Sequence, residues 1–373
     1  MCFASGLTFP ELVRYYSPYP IPAREGKDLE PDDPGRVIVK TEDGLNRIEE
    51  PFILWICHQC FKYMSLEAFQ DHIKICPHTK PPGRKVYQNG GVSMYEVDGF
   101  QNKVYCQCLC LLCKCFIDIK TLYFDCESFL FYVMTLVDEE TGEEQVIGYF
   151  SKERFSFNSH NLACIIVLPP WQKRGFGMLM IEFSYYLSRK QGMIGGPEGP
   201  LSDLGLIGYY SYWVSSIIRF LRQQISVPLP KDNLETSHPF SYLKKPRHPV
   251  VPYPANPDDA SSSSANEDEE DESDHELPAP VIKRRYYHSM MPNGEVRVGV
   301  TARFTMKDIV QATGIRPREV AFVLHQLGLS RMEAQMQADA DDVVIILSRE
   351  AIESVAAACR MKEPRFSEKH LIP

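Results

Sequence analysis

The sequence predicts a mixed α/β protein with a central core, a small metal-binding lobe before it and a helical lobe after it. Three patterns predict this class. Residues 57–76 hold three cysteines and a histidine at metal-ligand spacing, 164–190 have the pattern of strand, glycine turn and helix, and 304–347 that of helix, glycine turn, helix and strand. Such alternation of strand and helix periodicity is typical of mixed α/β folds.

These patterns divide the chain into four segments. We expect an N-terminal lobe at residues 1–85 that contains the finger at 57–76, and a core at 86–225. An insertion rich in proline, serine and acidic residues follows at 226–298, and a C-terminal lobe at 299–373. The insertion has too little apolar surface to fold alone, so we expect a solvated disordered loop; a histone-binding arm is the alternative.

Composition limits the class of protein. A chain of 373 residues that is 44% hydrophobic can bury a sizeable core. The net charge is −9, but Asp258–Glu276 alone carries ten carboxylates and no lysine or arginine, and the remaining 40 basic and 39 acidic residues nearly balance. A nearly neutral folded part argues against non-specific nucleic-acid binding, and a basic ligand would need a local acidic groove.

The sequence shows no pattern of a secretory signal or of a membrane-spanning helix. The first residues show neither a charged segment nor a long apolar one, and no window has the ~18 consecutive apolar residues of a membrane helix. We therefore expect an intracellular protein with no membrane partner, whose twelve cysteines are reduced or bind metal.

The first cysteine group is Cys57-x2-Cys60-x11-His72-x3-Cys76. A helix from 65 to 75 would place His72 and Cys76 one turn apart, opposite the paired thiols, and close a tetrahedron with no open position. This spacing predicts structural Zn²⁺; buried free cysteines beside a chance histidine are the alternative. The second group, Cys106 to Cys115, has no histidine or carboxylate to complete a site, which favours core packing over a metal or redox role.

The strand-turn-helix segment is typical of a phosphate site. Gly175 and Gly177 let backbone N–H groups turn toward a ligand at the N-terminus of a helix. The segment lacks the third glycine of a dinucleotide fingerprint and the Gly-Lys-Ser/Thr of a P-loop. It fits a coenzyme A pyrophosphate loop better, with a purely structural turn as the alternative.

Several blocks around this segment carry a family resemblance. In order, they are Tyr15–Pro20, Asn102–Tyr105, Lys120–Asp125, Phe129–Met134, Gly148–Glu153, Ile181–Tyr185 and Pro200–Gly205. Together they resemble the MYST-family histone acetyltransferases over the first ~220 residues and, by helix-turn-helix pattern, weakly over the last ~75. The resemblance implies a mixed, GNAT-like acetyltransferase core flanked by a Cys-Cys-His-Cys zinc finger lobe and a winged-helix-like lobe.

The resemblance also implies catalytic residues. A lysine ammonium has no lone pair, so acetyl transfer needs a base, and Glu198 in the stiff loop 195–200 matches the family's catalytic glutamate. An exposed loop carboxylate is the alternative. Cys164 matches the active-site cysteine, either as a covalent acetyl carrier or as a wall residue. We favour direct attack with Glu198 as base.

The expected coenzyme and modification sites follow the same resemblance. Strand residues Ile165, Ile166 and Val167 would bind the pantetheine arm. The pyrophosphate would be held by Gln172, Lys173, Arg174, Gly175, Phe176, Gly177 and Met178, and Ser202 and Ser211 match further coenzyme contacts. Met178 departs from the family, which usually has a basic residue there. Lys120 aligns with the lysine that family members autoacetylate.

The second helix of the C-terminal lobe has few basic residues beyond Arg316 and Arg318, which favours a structural lobe over direct DNA binding. Our hypothesis is a nuclear enzyme that transfers acetyl from acetyl-CoA to a lysine of a histone tail. The absence of room for a targeting domain before residue 15 suggests accessory subunits of a chromatin complex, as in the family's fungal silencing-associated branch, and favours histone H4. A weakly catalytic nucleosome-binding scaffold and an acetyltransferase for non-histone lysines are the alternatives.

Overall fold

The computed structural model describes residues 37–40, 46–49, 55–117, 125–139, 142–225, 282–290, 296–329, 344–359, 361 and 363–373. They belong to two compact units. Unit 1 comprises residues 1–154, 166–172 and 369–373, and unit 2 comprises 155–165 and 173–368. Mixed sheets and helices confirm the α/β class.

The first ten elements all belong to unit 1. They are β1 (Val37–Lys40), β2 (Asn46–Glu49), β3 (Trp55–Ile56), β4 (Tyr63–Met64), α1 (Leu66–Ile75), β5 (Arg84–Asn89), β6 (Val92–Asp98), α2 (Lys103–Lys114), β7 (Phe129–Val137) and β8 (Glu144–Glu153).

The later elements begin with β9 (His160–Leu162), β10 (Cys164–Val167) and a 3-10 helix (Pro169–Trp171). There follow α3 (Phe176–Lys190), β11 (Gly196–Pro197), α4 (Asp203–Ile225), β12 (Lys283–Met290), β13 (Val296–Thr305), α5 (Met306–Thr313), α6 (Pro317–Gln326), β14 (Val344–Ser348), α7 (Arg349–Ala358) and a 3-10 helix (Glu368–His370).

A five-stranded sheet in the order β10-β8-β7-β6-β5 forms the centre of unit 1. Its middle strand β7 is a run of apolar and aromatic residues, the composition of a strand buried on both faces. Tyr132 of β7 stacks on Phe150 of β8 with ring centroids 4.7 Å apart. Gly148 has no room for a side chain, because a Cβ there would overlap the carbonyl oxygen of Ile166. The sheet edge that leads into the glycine turn therefore packs closely against β8.

The core of unit 2 forms around α3 and α4. Trp213 is fully buried and donates a 2.7 Å hydrogen bond to the Tyr185 hydroxyl, and Tyr185 stacks on Tyr212 at 4.4 Å. Apolar residues of β13, α5, α6, β14 and α7 belong to the same cluster. One continuous core thus includes the long helices and the C-terminal elements.

The C-terminal pattern predicted from the sequence is confirmed. Thr305 caps α5 through a capping box with Asp308, Gly314 ends that helix in the left-handed conformation at φ 69°, and Pro317 begins α6. The strands β12, β13 and β14 form a three-stranded antiparallel sheet beside these helices.

The predicted disordered insertion extended too far. Strand β12 and the start of β13 fall within residues 226–298, so for 283–290 and 296–298 the expectation of no folded structure was wrong. The reason is pairing with the next strand: the polar sequence KRRYYHSM gains a complete hydrogen-bonded partner in β13 and buries Tyr287. Residues 226–281 lie outside the described part of the chain. Of the helices that the structure describes, none is both long and apolar enough to cross a bilayer.

Candidate metal centre and active site

The Cys-Cys-His-Cys group lies on a small hairpin and the helix after it. Cys57 and Cys60 occupy the turn between β3 and β4, where the Phe61 amide donates a 2.9 Å hydrogen bond to the Cys57 carbonyl. The side chain of Ser65 caps α1 by accepting from the Ala68 amide. His72 lies within α1 and Cys76 at its C-cap, which confirms the predicted helix.

The four side chains have the geometry of a zinc site. Their donor atoms all lie within 4.8 Å of one another, with 3.8 Å between Cys57 Sγ and Cys76 Sγ and 3.2 Å between Cys60 Sγ and His72 Nε2. Zinc–sulfur bonds of about 2.3 Å in a tetrahedron put two sulfurs about 3.8 Å apart. The residues therefore fit a structural metal with no ligand position left open.

The local charge balance also favours a cation. The hydrogen bond between the Cys57 and Cys60 side chains lowers the pKa of Cys57 to about 4 and, together with burial, raises the pKa of Cys60. Burial raises the pKa of Cys76, the outermost ligand. A group that already stabilises one thiolate among several thiols is suited to a soft divalent metal.

The second cysteine group follows the packing prediction. Cys106, Cys110 and Cys113 are buried on one face of α2, while Cys108 and Cys115 are half-buried. Burial raises the pKa values of Cys106, Cys108 and Cys115, which keeps them as thiols. Within the described residues, the cluster at 57–76 is the one set of histidine, cysteine or acidic side chains gathered closely enough to hold a metal.

Glu198 and Cys164 are carried by neighbouring segments of unit 2. Strand β11 pairs in parallel with β9, so that Pro197 lies opposite Leu162, and the Glu198 amide donates a 2.9 Å hydrogen bond to the Leu162 carbonyl. Cys164 follows Leu162 by two residues and begins β10. Glu198 is exposed and Cys164 is half-buried. The strand pair β9–β11 thus places the backbone segments that carry Glu198 and Cys164 side by side.

The turn between α5 and α6 supports this strand pair. Gly195 bridges in parallel to Ile315, and its amide donates a 3.1 Å hydrogen bond to the Gly314 carbonyl. The Arg316 guanidinium donates to the carbonyls of Asn158 and Ser159 at 2.7 and 2.8 Å. The α5–α6 turn therefore holds both β9 and β11 by hydrogen bonds to the residues that directly precede each strand.

This role of Arg316 was not predicted from the sequence. Arg316 and Arg318 were expected to be exposed basic residues of the second helix, in a lobe that is structural rather than DNA-binding. In the structure the first binds backbone carbonyls and the second donates to the buried carboxylate of Glu319 at 3.4 Å. No local signal could have revealed the contact, because Arg316 and Ser159 are 157 residues apart.

The predicted coenzyme loop has the expected strand-turn-helix geometry. After β10 and the 3-10 helix, Lys173 and Gly175 adopt positive φ angles of 62° and 92°, and α3 begins at Phe176 without a side-chain cap. The first N–H groups of α3 therefore have no intrahelical acceptor, and this end of the helix carries partial positive charge. Gln172, Lys173 and Arg174 are exposed.

The remaining candidate residues divide between the units. Ile166, Val167 and Gln172 belong to unit 1, where Gln172 Nε2 donates to the Val167 carbonyl at 2.9 Å. Unit 2 holds Ile165, Gly177 and Met178, of which Met178 is half-buried against the core.

Two further candidates lie on α4 of unit 2. Ser202 is exposed and accepts the Gly205 amide at the start of α4, and Ser211 is exposed two turns later. Lys120 lies outside the described residues.

Comparison with known proteins finds a family match in the middle of the chain. Residues 80–236 match the MOZ/SAS family. The chain is 48% identical over 170 residues to the histone acetyltransferase MOF of Drosophila melanogaster, which covers 45% of this chain and 20% of MOF. It is 49% identical over 169 residues to the histone acetyltransferase Tip60 homolog of Caenorhabditis elegans, 45% of this chain and 36% of that protein.

A fungal relative gives the same result. The histone acetyltransferase ESA1 of Gibberella zeae is 47% identical over 170 residues, 45% of this chain and 34% of ESA1. The chain thus matches between a fifth and two fifths of the length of these curated relatives. The metal cluster at 57–76 precedes the part that matches the family.

Proposed function

We propose that this chain is a histone acetyltransferase of the MYST (MOZ/SAS) family, because residues 80–236 match the MOZ/SAS family and similar relatives are named histone acetyltransferases. It would transfer acetyl groups from acetyl-CoA to lysines of histone tails. Its relatives of known name are called histone acetyltransferases, and the chain spans less than half of each. We extend the activity to this protein and favour the histone H4 tail as substrate.

The observation that best supports this proposal is the strand pair β9–β11. The Glu198 amide bonds to Leu162, so an exposed carboxylate follows one strand while the half-buried Cys164 thiol follows the other. A general base needs to reach the attacking amine beside the acyl group, and its backbone must hold it there. The backbone hydrogen bonds of Gly195 and Glu198, which lie on either side of β11, meet that need.

In the proposed reaction Glu198 accepts a proton from the lysine ammonium, and the neutral amine attacks the thioester carbonyl. The tetrahedral intermediate collapses by breaking the carbon–sulfur bond, and the coenzyme leaves as its thiolate. The nitrogen loses its second proton, which the thiolate takes up to give the free thiol, and Glu198 releases the first proton to solvent. Cys164 forms part of the wall beside the acetyl group. Direct attack needs no acyl-enzyme, so it does not require Cys164 to ionise.

Coenzyme binding would use the glycine turn and α4. Exposed Lys173 and Arg174 and the uncapped start of α3 are suited to the pyrophosphate. Leu204 and Ile207 are 74% and 66% exposed on the face of α4 that also carries Ser211. This stripe offers apolar contact and a hydroxyl to the rest of the coenzyme, and we assign Ser202 to the same site.

The other elements complete the proposed architecture. We propose that residues 86–225 contain a GNAT-like acetyltransferase core, that Cys57, Cys60, His72 and Cys76 hold structural Zn²⁺, and that β12 to α7 form a winged-helix-like structural lobe. A nuclear location, histone tails or nucleosomes as substrates and accessory chromatin subunits follow from the proposed activity. Lys120 would be the site of autoacetylation.

The test is acetyl transfer from labelled acetyl-CoA to H4 and H3 tail peptides and to nucleosomes, comparing the native chain with Glu198→Gln. Loss of a general base lowers the rate by roughly 10²–10⁴-fold, and we expect this with coenzyme affinity unchanged. Cys164→Ala serves as the second variant. It should retain most of the activity if attack is direct.

Two results would contradict the proposal. Native protein that transfers no acetyl group to any of these substrates, even with its copurifying partners, would favour a chromatin-binding scaffold. Transfer to non-histone lysines at a higher kcat/KM than to either tail would contradict the histone assignment while keeping the chemistry.

A further inference from the structure

Arg365, which the sequence analysis did not consider, lies against the glycine turn of unit 2. A Cβ atom built on Gly175 would lie 2.9 Å from its Nε and 3.1 Å from its Cζ. Gly175 has φ 92° and is the residue directly before α3. The absence of a side chain at this position thus leaves room for a guanidinium beside the N-terminus of α3.

The backbone of Arg365 is held in place by α3 itself. Glu182 is 7% exposed, and its Oε2 accepts hydrogen bonds from the Arg365 and Phe366 amides, both at 2.7 Å. The Phe366 ring packs against Phe183 and Tyr186 at centroid distances of 5.5 and 5.0 Å. A buried carboxylate and an aromatic cluster therefore fix this C-terminal segment along the helix.

The arrangement brings positive charges together. The guanidinium lies beside a helix N-terminus, and Lys173 and Arg174 precede the same glycine. Among the described residues, no acid lies within ion-pair distance of the Arg365 guanidinium; Glu182 accepts from its backbone amide, and the charge of Arg365 acts from a longer distance against the burial that raises the pKa of that carboxyl. Positive groups that converge on one exposed turn are mutually unfavourable until an anion lies between them, and the planar guanidinium fits phosphate oxygens in a bidentate manner.

The first turn of α3 has no charged side chain of its own. Phe176, Gly177 and Met178 are uncharged, and Met178 packs half-buried against the core. Arg365 brings a positive charge to the same turn from the C-terminal segment.

We propose that Arg365 binds the pyrophosphate of coenzyme A at the Gly175 turn. The inference rests on the proposed acetyltransferase function and adds a ligand-binding residue from the C-terminal segment. Arg365 contributes to affinity by charge and hydrogen bonding, and it takes no part in proton transfer.

Calorimetric titration with three probes tests this: coenzyme A, dephospho-coenzyme A, which keeps the pyrophosphate, and pantetheine, which has no phosphate. Since a charge-assisted hydrogen bond is about twice as strong as a neutral one, Arg365→Ala should weaken both nucleotide probes about tenfold. Pantetheine should bind unchanged. Arg365→Lys should recover part of the affinity, because it keeps the charge but loses the bidentate geometry.

Arg303→Ala, which removes an exposed arginine from β13, is the matched control and should leave all three affinities unchanged. Thermal unfolding of each variant shows that the fold is retained. If Arg365→Ala binds coenzyme A as tightly as the native protein does, the role of Arg365 is wrong while the proposed function stands. The same conclusion follows if the variant loses affinity for coenzyme A but not for dephospho-coenzyme A, or if it also loses affinity for pantetheine. Native protein that binds neither nucleotide probe would overturn the proposed function as well.

Discussion

The metal cluster at 57–76 and the strand pair β9–β11 are both compact groups of side chains and backbone, but they form across very different sequence distances. The cysteines that face each other in the cluster are 19 residues apart. Arg316 and the Ser159 carbonyl, which fix the strand pair, are 157 apart. The first group is specified by one short segment and the second by three distant ones.

The difference shows what each kind of site depends on. A metal site of this type needs a hairpin, a helix and correct ligand spacing, all of which are local. The strand pair needs the α5–α6 turn to approach Gly195 and the segment before β9, and that approach depends on the packing of the whole unit 2 core. We therefore expect changes at the cluster to be severe and confined, and changes at the strand pair to be smaller and to affect function.

The largest effect should come from breaking the local site. Cys60→Ala should lose the metal and the fold of residues 55–76, because zinc contributes about 10–16 kcal/mol of binding free energy in zinc-finger peptides. Metal content by mass spectrometry and hydrogen exchange across this segment measure both changes. Cys108→Ala, a half-buried cysteine of α2, is the control and should keep one zinc per chain. Unchanged zinc content in Cys60→Ala would contradict the ligand set.

A long-range network in the unit 1 sheet should show the next largest effect. Glu144 accepts hydrogen bonds from Lys85, Tyr95 and Thr135 at 2.7–2.8 Å, and all three come from other strands. Glu144→Gln should lower the free energy of unfolding by about 1.5–3 kcal/mol, the range for hydrogen bonds to a charged group. Urea unfolding at pH 7 measures it.

The pH dependence gives this prediction a sign. Burial raises the pKa of Glu144, but its hydrogen bonds to Lys85, Thr135 and Tyr95 outweigh that and hold it below the ordinary value. The folded state therefore releases the proton more readily than the unfolded state. The stabilisation is present above the ordinary glutamate pKa of about 4.3 and is lost as pH falls through the lower folded value. The difference in unfolding free energy between the native and Glu144→Gln proteins should therefore disappear in acid. The control Glu139→Gln, which changes an exposed residue, should unfold with the native free energy at pH 7.

Breaking the support of the strand pair should have a smaller effect on stability but a clear one on function. Arg316→Ala removes the two hydrogen bonds to Asn158 and Ser159. If the two hydrogen bonds stabilise the strand pair by about 1.4 kcal/mol, their loss should speed hydrogen exchange of the Gly195 and Glu198 amides about tenfold. It should lower kcat by a similar factor and leave KM for acetyl-CoA unchanged. Arg316→Lys should recover part of the loss.

Lys307→Ala on the exposed face of α5 is the control for Arg316→Ala and should leave exchange and kcat unchanged. Unchanged exchange of both amides in Arg316→Ala would show that the strand pair is held by other contacts.

The smallest effect concerns a local signal in the C-terminal elements. Thr305→Ala breaks the capping box of α5 and should cost about 1 kcal/mol of unfolding free energy. Because the change is local, exchange at Gly195 should be unaffected. If Gly195 exchange rises as much as in Arg316→Ala, then weakening α5 alone is enough to loosen the strand pair. The strand pair would then depend on local signals as well, and the difference from the cluster at 57–76 would disappear.

Much of the fold was predictable because its signals are short-range. The spacing of Cys57 to Cys76, the change from strand to helix around Gly175 and the caps of α5 and α6 each depend on fewer than ~20 residues. Strand β12 was missed, since its polar sequence becomes a strand only by pairing with β13. The contacts of Arg316 could not be predicted, because its acceptors are backbone carbonyls, and every residue has one.

By itself, the sequence predicted the candidate metal ligand set, the strand-turn-helix of the candidate coenzyme loop and the family that residues 80–236 match, because residue type and spacing specify these locally. Only the tertiary structure decided that Glu198 follows the strand beside Leu162, that Arg316 fixes that strand pair and that Arg365 lies at Gly175. The physical reason is that backbone pairing and arginine contacts depend on which distant segments the core brings together.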